Sequence, residues 1–210
     1  MNVLIAGAHG GVGQHITEIL AESDHDATAM VRTESQVDEM AEFGVETVVA
    51  DLTEDVSHAV PSHDAIIFAA GSSGEDVEGV DRDGANKLVD AAEEEGVDRF
   101  VMLSAMNADE PENSPDGLYD YLVAKQAADE YLADSDLTYT IVRPGALTDD
   151  SATGQVKTAR KLDRGEITRA DVARVLVAAL DTESTYGKTF ELLEGDESIE
   201  DALANPTDDS

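Results

Sequence analysis

Three glycines recur at a spacing of three in GAHGGVG, residues 7–13, behind the apolar run VLIA and ahead of a helical pattern. A chain that passes from strand to helix there leaves the first helical N–H groups without partners. Together with the positive end of the helix dipole they attract an anion. Gly7 permits the tight turn, Gly10 the close approach of backbone to ligand, and Gly13 the close packing of helix on strand. His9, Gly11 and Val12 fill out the loop, with His9 expected near the phosphates and outside the chemistry. The ligand implied is the pyrophosphate of a dinucleotide. The spacing is GxxGxxG and not GxGxxG, so a turn that merely needs small residues stays open as the alternative.

The second apolar run, ATAMVR, ends on Arg32. A carboxylate at that place would accept from a free ribose hydroxyl, whereas a guanidinium fork holds a 2′-phosphate. Arg32 therefore favours NADP over NAD, unless it simply pairs with Glu34. Asp51 and Leu52 follow the third run, where a short acid can accept from an adenine amine. Ala69, Ala70 and Gly71 follow the fourth, where small residues let a cofactor lie against the sheet.

The elements that must position these residues alternate. Strand-length apolar runs are expected at 3–6, 27–31, 45–50, 65–69, 100–103 and 139–142. Helical spacing is expected at 14–22, 36–43, 53–60, 83–95 and 118–133. Continuous apolar strands separated by helices give an α/β, doubly wound parallel sheet, a Rossmann fold. After Pro144 the rhythm changes to a polar loop, a helix at 169–180 and a strand at 189–193. One domain is expected, with a core over about residues 1–147, a small C-terminal appendage over 148–204 on the substrate side, and a frayed tail over 205–210.

Asp and Glu number 47 against 13 Lys and Arg, a formal charge of -34 over 210 residues. The acids are interleaved with apolar positions throughout, which suits a folded protein with a carboxylate-covered surface. Few lysines and small core residues suggest adaptation to a salt-rich cytoplasm, where that surface is screened. No basic stripe exists to meet nucleic acid. There are no cysteines, the five histidines lack metal-ligand spacing so no metal is expected, and no apolar run could cross a membrane. The chain is expected to be cytoplasmic.

The stretches GAHGGVG, IIFAAG, VDRDGANKLVDAA, RFVMLSA, YLVAK and YTIVRPGAL, with DVARVLVAAL downstream, resemble the short-chain dehydrogenase/reductase superfamily. The likeness is to its extended, atypical branch of small NAD(P)-binding, NmrA-like and epimerase-related proteins. That resemblance implies chemistry at Ser104, Tyr121 and Lys125, and brings Lys125 and Pro144 to the cofactor. Tyr121 and Lys125 are four apart on a predicted helix, so a lysine ammonium beside the phenol is expected to lower its pKa toward neutrality. Ser104 is expected to hydrogen-bond the substrate oxygen. Where the family often has an asparagine three before a glycine, this chain has Asp81 before Gly84, which puts a proton relay in doubt. Arg143 is expected either at an anionic substrate group or in an internal ion pair.

The activity implied is NAD(P)-dependent hydride transfer to or from a small carbonyl or hydroxyl substrate. The alternatives are an NAD-dependent sugar-nucleotide epimerase or dehydratase, for which the chain after Leu147 is short, and a non-catalytic NADP-sensing regulatory protein. The substrate pocket is expected between the loop after Gly71, the 105–117 segment and the loop after Pro144. Monomer and homodimer remain equally open.

Overall fold

The computed structural model describes residues 1–72 and 74–207. Seven parallel strands form the body of one sheet: β1 (Asn2–Ala6), β2 (Asp26–Val31), β3 (Glu46–Val49), β4 (Ala65–Phe68), β5 (Arg99–Leu103), β6 (Thr138–Pro144) and, late in the chain, β10 (Lys188–Glu194). Their spatial order is β3-β2-β1-β4-β5-β6-β10. The order reverses direction on either side of β1, so the β1 and β4 ends open a crevice at that switch point. The short strands β7 (Ala146–Thr148) and β9 (Glu166–Thr168) pair separately. β8 (Gln155–Ala159) and β11 (Glu197–Ser198) extend the main sheet antiparallel beyond β10.

Side chains alternate along a strand, and in the central strands β1, β4 and β5 they are mostly apolar and buried on both faces, which is why these strands read as apolar runs. Val3 and Ile5 of β1 join one core with Ile16 and Leu20 of α1 (Gly11–Ala21), Met40 of α2 (Val37–Ala41) and Val172 and Leu176 of α5 (Arg169–Ala179). Leu4 and Ala6 join the other with Leu88 and Ala92 of α3 (Asp83–Glu95) and Ala128 and Leu132 of α4 (Tyr119–Ala133). Gly96, in the left-handed conformation at φ 75°, ends α3 where the sequence EEG signals a stop. No helix among the described residues is long and apolar enough to cross a membrane.

Two expectations need correction. The helix expected over 53–60 is reduced to a single 3₁₀ turn, Ser57–Ala59. Asp51 and Asp55 each capture the backbone N–H two residues on, at Thr53 and Ser57, and these local bonds compete with a helix. The chain after Pro144 supplies β7, β8, β9 and β11, which were not read from the sequence. Ala204 closes a sixth helix, α6 (Ile199–Ala204); residues 208–210, part of the tail expected to fray, lie outside the described residues.

Candidate functional site

The turn between β1 and α1 is built as a cradle. Gly7 has φ +83°, and a Cβ there would fall 2.5 Å from the Ala70 Cα, so the turn and the end of β4 touch backbone to backbone. Gly10 is the N-cap of α1, no side chain caps that end, and no acid occupies its first turn. The N–H groups at the start of α1 therefore have no side-chain acceptor, which is the condition for binding an anion there. Gly13 lies under the turn against the Gly7 carbonyl and does not line the cavities; its small size serves packing.

Two cavities meet at this cradle. The first, about 490 Å³, is lined by Gly7, His9, Gly10, Arg32, Asp51, Leu52, Ala69, Ala70 and Gly71, and also by Gln36 and Thr53. Arg32 directly follows β2 with no carboxylate within ion-pairing distance among the described residues, so it does not pair with Glu34. Gln36 accepts from the Arg32 and Thr33 N–H groups at 2.9 and 3.2 Å and pins the arginine's backbone at the cavity edge. Asp51 accepts from the Thr53 N–H and hydroxyl, which hold its carboxyl below the usual range. His9 bonds Glu39 at 2.8 Å.

The second cavity, about 470 Å³, runs from Gly10, Gly11 and Val12 past Ala69, Ala70 and Gly71 to Ser104, Tyr121 and Lys125. Arg169, from the start of α5, lies across Gly11 and pairs with the exposed Asp149 at 2.7 Å. Ser104 and Tyr121 also line a third cavity of about 320 Å³, which continues to Pro144, Leu147 and Arg164. Tyr121 and Ser104 thus stand on the wall common to both. Pro144, expected at the cofactor, is the last residue of β6 and lines this third cavity.

The electrostatics differ from expectation at two residues. Burial pushes the Tyr121 phenol above its ordinary value; the Lys125 ammonium pulls the other way, while Asp81 and Asp129 add to the rise. Burial outweighs the lysine, whose Nζ sits 3.2 Å from Asp81 Oδ1 with both groups buried. Lys125 Nζ also donates to the Leu103 carbonyl at 3.3 Å. Ser104 is the second departure. Its hydroxyl donates to Asp129 Oδ2 at 2.8 Å, so its proton is committed inside the protein and only its lone pairs are left to accept.

Asp81 and Asp129 are the residues the sequence did not offer as functional. Asp81 lies in a π-helical turn, Val77–Arg82, and its Oδ2 accepts from the Ser72 N–H and hydroxyl at 3.0 and 2.7 Å. The departure from asparagine at that position was the available signal. Asp129, one turn beyond Lys125 on α4, carried none. Desolvation pushes its carboxyl up against the opposing pull of Arg143, whose Nε donates to it at 2.9 Å. Arg143 also pairs with Asp109, so it is an internal ion-pair residue.

Comparison with known proteins agrees with this architecture. A model described as NAD(P)H-binding matches residues 7–183. The chain is 43% identical to the uncharacterized sugar epimerase YhfK of Bacillus subtilis, over 97% of this chain and 99% of that one. Among solved structures, one from Bacillus halodurans, described as an NAD-dependent epimerase/dehydratase, superposes with a TM-score of 0.94 at 41% identity, covering 97% of this chain and 99% of that one. The oxidoreductase ylbE of Lactococcus lactis follows with a TM-score of 0.90 at 33% identity, covering 97% and 95%.

Proposed function

The chain belongs to the NAD(P)H-binding family, and we propose on that footing that it is an NADP-dependent oxidoreductase acting on a small carbonyl or hydroxyl compound. The observation that carries the reading is the position of Tyr121, on the wall shared by the cavity that leads from the glycine cradle and the cavity beyond it. The residues fit a dinucleotide. The uncapped start of α1 and the Arg169 guanidinium would hold the pyrophosphate, Arg32 a 2′-phosphate, and Ala69, Ala70 and Gly71 would leave room along the sheet.

When bound, the nicotinamide supplies or receives the hydride. The chain's own part is the proton. Tyr121, kept neutral by burial, is the group that gives a proton to the substrate oxygen during reduction. Ser104, held by Asp129 as an acceptor, suits the hydroxyl form of the substrate, which has a proton to offer. The buried Lys125–Asp81 pair fixes the floor beneath the phenol.

The test is Tyr121→Phe. Reductase turnover should fall by about 10²–10⁴-fold while NADPH affinity stays within about twofold. Undiminished turnover would place the acid elsewhere.

The names carried by the Bacillus relatives favour a second reading, a sugar-nucleotide epimerase with tightly held NAD. Purified protein that retains NAD through gel filtration and interconverts UDP-sugars without net redox change would establish it over the first.

A further inference from the structure

The cavity beyond Tyr121, about 320 Å³, is lined by no Asp or Glu among the described residues. In a chain with 47 acidic residues in 210, such a wall is a departure from the rest of the surface. The adenosine-side cavity makes the contrast, since Asp51, Glu75 and Asp76 all line it.

One cation does stand on this wall. Arg164 reaches across to the Pro111–Asn113 turn, where its Nη2 donates to the Asn113 carbonyl at 3.3 Å. Among the described residues no carboxylate lies within ion-pairing distance of it. The neighbouring cations differ: Arg143 pairs with Asp129 and Asp109, Lys161 with Asp109, Glu110 and Glu191, and Arg169 with Asp149. Arg164 thus keeps its charge and most of its donor fork for a ligand. Between it and the Tyr121 end, Met106, Leu118, Leu122 and Leu147 supply apolar wall.

We propose that this cavity takes a substrate with an apolar body and an anionic group, a carboxylate or phosphate, and that Arg164 holds the anion. The proposal rests on the assignment of this cavity as the substrate side of an oxidoreductase. A wall without carboxylates in an otherwise acidic protein removes the repulsion such a substrate would meet, and the free fork gives it a charge-assisted contact. A cationic substrate would face Arg164 with no acid to offset it.

The experiment compares 4-carboxybenzaldehyde with 4-formylbenzamide, which share the aldehyde and differ mainly in charge. Their dissociation constants for the full chain are measured by saturation-transfer NMR, with and without NADP, in molar KCl so that the net acidic field is screened to roughly 3 Å. The carboxylate should bind about tenfold more tightly than the amide, Arg164→Gln should bring the two level, and Arg164→Lys should restore part of the preference. Arg164 is exposed, so both variants should fold. Equal binding of the two probes, a preference that survives Arg164→Gln, or no carboxylate binding at millimolar concentration would each overturn the proposal. NADPH titrated into the same samples separates the two claims. Its failure to bind would remove the oxidoreductase reading and leave the anion preference to the cofactor-free arm.

Discussion

Lys125 Nζ and Asp81 Oδ1 lie 3.2 Å apart, with 3% and 0% of their side chains exposed. A lysine so paired lies under the Tyr121 ring, 5.8 Å from the ring centroid, and its downward pull on the phenol is outweighed by burial. The usual logic of a tyrosine activated by a neighbouring ammonium is therefore muted in this chain.

A pH dependence follows from that pairing. The proton donor for reduction is the neutral phenol, whose pKa is raised by burial, and Asp81 and Asp129 reinforce the rise. Reduction should therefore be insensitive to pH through neutrality and fall only as pH rises past the ordinary tyrosine value of about 10. Asp81→Asn removes one of the charges that raise the phenol, so the alkaline limb of kcat/KM should move to lower pH. It also leaves a buried ammonium unpaired and should destabilise the protein. An alkaline limb that stays in place in a folded Asp81→Asn variant would show that the phenol does not set it.

Arg32 should govern the choice of nucleotide. Calorimetry is expected to give NADPH at least about tenfold tighter than NADH, the range of a charge-assisted contact to phosphate, and Arg32→Ala should remove most of that difference with little effect on NADH. Equal affinities in the unaltered protein would refute the clamp.

The acidic surface should make folding depend on salt. Lowering KCl from molar to dilute concentration lengthens the Debye screening from roughly 3 Å to tens of ångströms, so the repulsion within a surface of formal charge -34 is restored. The melting temperature is expected to drop by several degrees or more. A melting curve indifferent to KCl would mean that the acids are arranged without mutual strain.

What was legible in the sequence was local. The GAHGGVG turn announces itself because strand, glycines and helix are adjacent in the chain, and the strands from β1 to β6 read clearly because both faces of each are covered by apolar residues. The pairing of Asp81 with Lys125 and of Asp129 with Ser104 joins residues 44 and 25 positions apart in the chain, in a fold whose register fixes them, and no local pattern encodes such contacts. The late strand β8, QVKTA, alternates buried and exposed residues in a polar stretch, and it is stabilised by its antiparallel neighbour β10 more than by its own composition. The stretch 53–60 erred the other way: its apolar spacing suits a helix, but the side chains of Asp51 and Asp55 had already taken the backbone donors.

The measurement that bears most directly on the glycine cradle is NADPH titration of the unaltered protein beside Gly10→Ala in molar KCl. The backbone at Gly10 has φ -70°, which alanine adopts, and a Cβ there would press on the Gly7 carbonyl oxygen at 3.2 Å, so the variant's melting curve is recorded beside the titration to show that it is folded. The added methyl stands where the pyrophosphate must approach the backbone, and NADPH affinity should fall by about tenfold or more. Nucleotide binding that is untouched by the methyl, or absent from the unaltered protein, would contradict the assignment.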